Sequence, residues 1–224
     1  MISRKHNPNF INNSVEEIHD YNIDIEHREV FLHSYINNGE QENGTDYRMS
    51  AYLIKNLRYL DAQKQADIVI HQHNIGGDYT HGMSIYDAIL ACRSHIAIIC
   101  YGEASSMGSI ILQAADLRLA MPNCYFMIHC MSLGTEYCPI KSYKSYGDFS
   151  SKLNNNMLNI YVNRFYETGS FFKGKTKKYI RQYIENKLNS KLDWYLTAEE
   201  ALNLGLIDGI IDNTHQIDKI CKLN

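Results

Sequence analysis

Proline is scarce in this sequence, and long hydrophobic runs are absent. Three prolines and thirteen glycines in 224 residues argue against a low-complexity chain. No stretch approaches the roughly eighteen apolar residues of a membrane-spanning helix, so we expect no membrane segment and no membrane partner. The basic residues in "MISRKH" at the start precede no apolar segment, and we therefore expect no secretory signal.

Neither sign of charge dominates, and the formal net charge is -3 at pH 7. A charge this small gives no electrostatic basis for binding nucleic acid. The cysteines form no CxxC pair and lack zinc-ligand spacing, and several lie in apolar segments, where cysteine acts as a small hydrophobic residue. We therefore expect a reduced, cytoplasmic setting. The cysteines are Cys92, Cys100, Cys124, Cys130, Cys138 and Cys221.

The sequence predicts alternating strands and helices after a polar arm of 28 residues. Apolar β-branched segments predict strands, and apolar residues three or four positions apart predict helices. The predicted strands are 29–37, 67–73, 95–101, 117–121 and 125–129, and the predicted helices are 49–63, 83–94 and 107–115. Strand–helix units of this length, joined by short loops, predict an α/β fold with a largely parallel sheet.

A long polar helix is predicted over 144–169, and we expect it to project from the body and to pack on something else. The sequence contains no internal repeat and no flexible linker. We therefore predict an amino-terminal arm (1–28) and a single domain (29–224), with a helical extension at about 139–190.

The stretch "GEASSMGS" at 102–109 follows an apolar strand and opens a helix. A serine at such a junction lies near unpaired backbone N–H groups and the positive end of the helix dipole, which favour developing negative charge. Ser106 is the candidate nucleophile at this junction. The alternative is that the serine is only a helix N-cap, which is common in turns of small residues.

Three further segments carry residue types that would complete a nucleophilic site. The glycines of "NIGGDYTHG" can direct a backbone N–H into a cleft, so Gly77 and Met107 are candidate oxyanion donors. His129 ends the strand of "YFMIHC", and a neutral histidine can accept a serine proton. Asp193, in "DWYLTA", could orient the imidazole. Each segment also has a structural alternative: a simple turn, a satisfied strand-end histidine, and a carboxylate that ends the preceding helix.

Taken together, these segments resemble the proteolytic subunits of the Clp protease family (ClpP), which are serine peptidases of the crotonase-like superfamily. The family pattern Gly-x-Ala-x-Ser-Met-Gly matches "GEASSMG" and selects Ser106 as nucleophile. The pattern Pro-Asn-x-x-x-Met-Ile-His matches "PNCYFMIH" and ends at His129. The glycine loop matches "NIGGDYTHGMSIYDA" at Gly77, and the aspartate segment matches "DWYLTA" at Asp193. The match covers roughly residues 25–212, in order.

The resemblance implies a crotonase-like (ClpP) α/β fold of repeated ββα units with a projecting helical handle. It implies a serine endopeptidase with a Ser106–His129–Asp193 triad and an oxyanion hole formed by Gly77 and Met107. It also implies stacked heptameric rings of this chain, which enclose unfolded proteins or short peptides, and a AAA+ unfoldase as candidate partner. The sequence has no GxxxxGK[ST] motif, so we expect no cofactor, and any ATP would be used by the partner.

The sequence also departs from the family pattern. Ile75 replaces the usual proline of the glycine loop, and 63 residues separate His129 from Asp193, more than the family needs. This spacing leaves Glu185 or a backbone carbonyl as alternative partners of the histidine. The arm does not match the family's axial loop, and "SIILQAADLRLAMPN" resembles Clp-type proteases of phages and other mobile elements.

Three other functions remain open at this point. An inactive ring scaffold or regulator would keep the fold without turnover. A crotonase-fold acyl-CoA enzyme would need a carboxylate or similar base where Ser106 lies, and the octapeptide offers none at that position. A metal site could use His71 and His73, which lie two apart on a predicted strand and so face the same side. They are also consistent with polar positions at a subunit interface or core edge.

Overall fold

A computed structural model of the chain describes residues 8–33, 44–131 and 139–211. The helices are α1 (Pro8–Tyr21), α2 (Tyr47–Gln63), α3 (Tyr79–Leu90), α4 (Met107–Ile111), α5 (Ile140–Thr168), α6 (Lys177–Ser190) and α7 (Ala198–Leu204). The strands are β1 (Ile23–Asp24), β2 (Glu29–Leu32), β3 (Ile68–Asn74), β4 (Ile96–Ser105), β5 (Leu117–Ala120), β6 (Tyr125–His129), β7 (Asp193–Thr197) and β8 (Gly209–Ile210). Short 3-10 turns follow α4 (Leu112–Ala114) and α5 (Ser170–Phe172).

The main sheet has the strand order β1-β2-β3-β4-β5-β8. The pairs from β2 to β8 are parallel, and β1 is antiparallel to β2. Helices α2 and α3 make the crossovers from β2 to β3 and from β3 to β4. The expected α/β class with a largely parallel sheet is confirmed.

Strand β4 has two successive neighbours on the same side. Its first half pairs with β5, and residues 103–105 pair with β6, which in turn pairs with β7 in antiparallel fashion. Gly102 lies between the two halves with a φ of +60°, and a Cβ there would lie 2.8 Å from His73 Nδ1. The strand was predicted to end at residue 101. That prediction is wrong, because the glycine lets the backbone bend while the strand continues to Ser105.

The core follows from the alternation of side chains along the strands. In β3, Ile68 and Ile70 face α2 and α3, whereas Val69 faces the other side of the sheet. Helix α2 presents a leucine stripe at helical spacing, and its buried leucines are Leu53, Leu57 and Leu60. Asp46 begins this helix by accepting hydrogen bonds from two backbone N–H groups of its first turn.

Helix α5 has 29 residues and is therefore about 44 Å long. Its side chains up to Phe149 are mostly exposed, so the exposed segment 140–149 is not packed into the core. The buried side chains are Ser150, Met157, Tyr161, Val162 and Phe165, all in the part that packs on α6, on α4 and on the 3-10 turn after α4. The long helix predicted at 144–169 is therefore present and begins four residues earlier.

The predicted arm contains structure where it is described. Helix α1 and strand β1 precede residue 28, and β1 pairs with β2. Arg28 is buried, and its guanidinium donates to the carbonyls of Leu60, Lys64 and Ala66. The division into an arm and a domain at this residue stays a prediction. No helix in the three described ranges is long and apolar enough to cross a membrane.

Candidate active site

Ser106 lies on a strained turn between β4 and α4. Its φ of 51° and ψ of -119° are unusual for a residue with a side chain, and such conformations typically cost about 1–3 kcal/mol. Its N–H donates to the carbonyl of Met127 at 2.8 Å, and its carbonyl accepts from the N–H groups of Ser109 and Ile110. The surrounding backbone therefore holds the serine in this conformation, with its hydroxyl outside the strand and the helix.

The side chain of His129 meets the Ser106 hydroxyl. Strand β6 runs parallel to the end of β4, so its last residue lies beside the turn that follows β4. The distance from Ser106 Oγ to His129 Nε2 is 2.7 Å. When the proton of the neutral imidazole lies on Nδ1, toward Asp193, Nε2 accepts a hydrogen bond from the serine hydroxyl. The structure brings together the two residues on which the predicted site depends most.

Asp193 begins β7, directly opposite His129 in the antiparallel ladder. Its Oδ1 lies 3.5 Å from His129 Nδ1, longer than an ordinary N–H···O hydrogen bond of about 2.7–3.2 Å. The aspartate side chain is 51% exposed and the histidine 24%. The alternative partner, Glu185, instead accepts a hydrogen bond from Arg181 at 2.9 Å on α6. Asp193 is thus the described carboxylate placed to orient the histidine.

The glycine loop after β3 is held by the segment at residues 44–46. The Thr45 N–H donates to the carbonyl of Gly76, and the Asp78 N–H donates to the carbonyl of Thr45 at 2.9 Å. Asn74 Oδ1 accepts the Gly76 N–H at 2.8 Å. Gly77 has a φ of +144°, and a Cβ there would lie 2.4 Å from Thr45 N, so only glycine fits. The supporting contacts of Thr45 and Asn74 were not predicted from the sequence, because Thr45 belongs to no motif and the spacing of the glycine loop does not show where the Asn74 side chain bonds.

The two candidate oxyanion donors face the same cleft as the serine. Gly77, Met107, Ser106 and His129 all line it. Among the described residues, neither the Gly77 N–H nor the Met107 N–H donates to another group. Two unused donors beside a hydroxyl are what stabilisation of a tetrahedral oxyanion requires. Their role in catalysis stays a prediction.

The cleft has a volume of about 500 Å³, and its lining combines apolar and polar side chains. Four of its side chains are methionines, Met107, Met127, Met131 and Met157, whose flexibility suits apolar groups of varied shape. Helix α5 contributes Tyr146, Phe149 and Leu153 to one wall. The cleft was not predicted from the sequence, because its walls come from β6, α5 and the glycine loop.

The other serines of the octapeptide have different partners. The Ser105 hydroxyl donates to Glu103 at 2.7 Å, and the Ser109 hydroxyl donates to the Ser106 carbonyl at 2.7 Å. Neither approaches the imidazole, so Ser106 is the serine that the geometry selects among the three.

The histidines considered for a metal site are engaged in protein contacts. His71 Nδ1 lies 2.9 Å from the Tyr101 hydroxyl, and His71 Nε2 lies 3.2 Å from a Glu29 oxygen. His73 Nδ1 lies 3.0 Å from the Tyr101 carbonyl. Within the described ranges, no group of three or more potential metal ligands is found. These contacts agree with the interpretation of polar positions at the edge of the core.

The topology of the sheet and the long helix α5 together define the class of the chain as a crotonase-like α/β fold. A model of the Clp protease family matches residues 21–214, so the chain belongs to the Clp protease family. Among solved structures, the chain is similar to a variant of ClpP1 from Listeria monocytogenes, with a TM-score of 0.65 and 20% identity. That match covers 85% of this chain and 95% of the other. The expected crotonase-like ClpP fold is confirmed.

Proposed function

We propose that the chain is a serine endopeptidase of the Clp type, which hydrolyses unfolded proteins or short peptides with a Ser106–His129–Asp193 triad. The observation that carries the proposal is the 2.7 Å contact between Ser106 Oγ and His129 Nε2, beside two unused backbone donors. A general base must lie within hydrogen-bond reach of the proton that it removes, and His129 meets this requirement.

The geometry supports acyl transfer in two steps. His129 Nε2 takes the Ser106 proton as Oγ bonds to the peptide carbonyl carbon, and the Gly77 and Met107 N–H groups stabilise the resulting oxyanion. The imidazolium then gives its proton to the leaving amine, and an acyl-enzyme remains. A water molecule, deprotonated by the same imidazole, attacks the ester and releases the carboxylate product and free Ser106. Asp193 keeps the imidazole oriented and stabilises its charge.

The cleft supports substrates with large apolar residues at the scissile bond. Its methionines and the Phe149 and Leu153 side chains offer apolar contacts next to Ser106. We expect a leucine or methionine there to be preferred over an aspartate, because the methionine side chains offer a carboxylate no hydrogen bond and Asp78, which also lines the cleft, would repel it.

The proposal includes assembly into stacked heptameric rings, implied by the family resemblance. The exposed segment 140–149 of α5 supports contact with a second copy of the chain, because large apolar side chains recur there every three residues. They are Ile140, Tyr143, Tyr146 and Phe149. We further propose that the enzyme acts in the cytoplasm without a cofactor, with a AAA+ unfoldase as the partner that consumes ATP.

Labelling of the assembled protein with a fluorophosphonate probe tests the proposal. We expect wild-type protein to be labelled and to hydrolyse a fluorogenic peptide, and Ser106→Ala to lose both activities with the assembly mass unchanged. The matched control is Ser105→Ala, which removes a neighbouring hydroxyl that contacts Glu103 instead of the histidine. Wild-type rings that neither label nor hydrolyse peptides would support the inactive scaffold instead.

A further inference from the structure

Two buried hydroxyl groups connect helix α5 to the backbone of the nucleophile. The Tyr161 hydroxyl lies 2.7 Å from Ser109 Oγ, and Ser109 Oγ lies 2.7 Å from the carbonyl oxygen of Ser106. Tyr161 is 1% exposed and Ser109 is 0% exposed. Neither side chain touches the cleft, and neither is used in the proposed mechanism.

The direction of these hydrogen bonds follows from the groups available. The Ser109 hydroxyl has one proton and two carbonyl oxygens within reach, that of Ser106 at 2.7 Å and that of Met127 at 3.3 Å. A carbonyl can only accept, so the hydroxyl donates, and its nearer acceptor is Ser106. Ser109 Oγ then accepts from Tyr161, whose burial raises its pKa and keeps the phenol protonated. The result is a directed series from the Tyr161 hydroxyl to the Ser109 hydroxyl to the Ser106 carbonyl, in which each bond polarises the next.

The Ser106 carbonyl belongs to the same peptide unit as the Met107 N–H. A peptide unit is planar, and this one is trans, so its carbonyl and its N–H point in opposite directions. A group that fixes the direction of the Ser106 carbonyl therefore also fixes the direction of the Met107 N–H. Met107 lines the cleft beside Ser106, and its N–H has no acceptor among the described residues.

We propose that Tyr161 and Ser109 are positioning residues for the oxyanion hole, because together they orient the Ser106–Met107 peptide so that its N–H meets the developing oxyanion. The inference rests on the proposed peptidase function and adds a residue of α5 to the machinery of the site. The α4 N–H groups that also contact the Ser106 carbonyl come from Ser109 and Ile110. They hold the helical turn, whereas the hydroxyl at 2.7 Å is the shortest contact to that oxygen.

The test is steady-state kinetics of Tyr161→Phe and Ser109→Ala, normalised to the number of Ser106 residues that a fluorophosphonate titrates. We expect each variant to lower kcat by about 10-fold with KM within about 2-fold, a smaller loss than the about 10²–10³-fold caused by removing an oxyanion donor. The rate of fluorophosphonate labelling should fall in parallel. The double variant should lose no more than either single variant, because both act through one carbonyl. Tyr166→Phe, an exposed tyrosine of the same helix, is the control and should leave kcat unchanged.

The possible outcomes separate this inference from the function itself. If Tyr161→Phe and Ser109→Ala keep wild-type kcat per titrated serine and lose only thermal stability, the hydroxyls are a structural brace and the inference is wrong. Additive losses in the double variant would also overturn it. If Tyr161→Phe fails to fold, the kcat of Ser109→Ala alone tests the inference, because that substitution removes only one oxygen atom. A wild-type protein without labelling or turnover would overturn the peptidase function, and this inference with it.

Discussion

His129 and Asp193 face each other directly across the β6–β7 ladder, and their side chains are separated by 3.5 Å from Nδ1 to Oδ1. The antiparallel register alone aligns the two residues, although 63 others separate them in sequence. The contact is long, and about half of the aspartate surface remains in contact with solvent. Water therefore competes with the imidazole for this carboxylate, which weakens its hold on the histidine.

We predict that Asp193→Asn lowers kcat by about 10²-fold, less than the about 10⁴-fold caused by the same change at a buried triad aspartate. Because the Asp193 carboxylate is exposed, it stabilises the positive charge on His129 less than a buried carboxylate would. Removing its charge therefore lowers the rate less. Peptide hydrolysis by Asp193→Asn, His129→Ala and wild type provides the measurement. Glu185→Gln is the control and should match wild type, because that carboxylate contacts Arg181. A loss for Asp193→Asn equal to that of His129→Ala would contradict the prediction.

Gly77→Ala should lower kcat by about 10²–10³-fold, as expected for a lost oxyanion donor. The added Cβ would lie 2.4 Å from Thr45 N and 2.5 Å from Thr45 O, so the loop must shift and move its N–H. Gly147→Ala provides the matched control, since no atom lies within 4 Å of a Cβ at that position of α5. The measurement is kcat of both variants for hydrolysis of the same peptide. Wild-type kcat in Gly77→Ala would remove Gly77 from the oxyanion hole.

Arg118→Ala should lower the free energy of unfolding by about 3–5 kcal/mol, because it leaves buried hydrogen-bond acceptors and a carboxylate without their partner. Arg118 is 1% exposed and pairs with Asp208, and it also donates to Gln113 and to the carbonyl of Gly205. Urea denaturation measures the change. Arg48→Ala, which removes a surface pair with Asp46, should cost less than about 1 kcal/mol. Equal losses for the two variants would show that burial of the ion pair has no effect.

The pH dependence of stability should include a contribution from Asp61. Burial acts to raise the pKa of this carboxyl, but hydrogen bonds from the backbone and hydroxyl of Ser94, and from Arg93, lower it below its ordinary value. A lowered pKa stabilises the fold above the unfolded value of about 3.9, and this stabilisation is lost as the pH falls through the folded value.

Asp61→Asn should therefore be about 1–3 kcal/mol less stable than wild type at pH 7, with a difference that shrinks as the pH falls below about 4. Urea denaturation of both proteins at several pH values tests this expectation. Asp148→Asn, at an exposed position, is the control and should follow wild type throughout. A difference that stays constant between pH 7 and pH 3 would mean that the Asp61 charge does not stabilise the fold.

Much of the fold could be predicted from the sequence, because the buried strands are continuous β-branched runs and α2 has a regular leucine stripe. The continuation of β4 past Gly102 was missed because glycine usually interrupts a strand, and the added residues are stabilised by pairing with β6 and with the end of β3. Strand β7 was also missed, although Trp194 and Leu196 alternate with exposed residues. Five residues next to a capped helix were too few for a clear pattern.

The meeting of Ser106, His129 and Gly77 in one cleft could be predicted, because these residues lie in short motifs. The supporting residues were not, because their roles arise from contacts between distant segments. Thr45 contacts the loop at Gly76, and Tyr161 lies 52 residues from the serine that it contacts. The spacing of residues along the sequence does not indicate such contacts, and a single sequence contains no other feature that would identify them.

Pairing between β4 and β6 stops at Ser105 and Met127, two residues before the histidine. Beyond that point, the described strands leave His129 and Asp193 on a ribbon of two strands, and a ribbon of this width twists more easily than a broad sheet. Ser106, by contrast, directly follows β4, which pairs with β3, β5 and β6. A change in the twist of this ribbon would therefore move His129 and Asp193 together, away from the Ser106 hydroxyl. The proposed peptide hydrolysis would stop, while the hydrophobic core would stay packed.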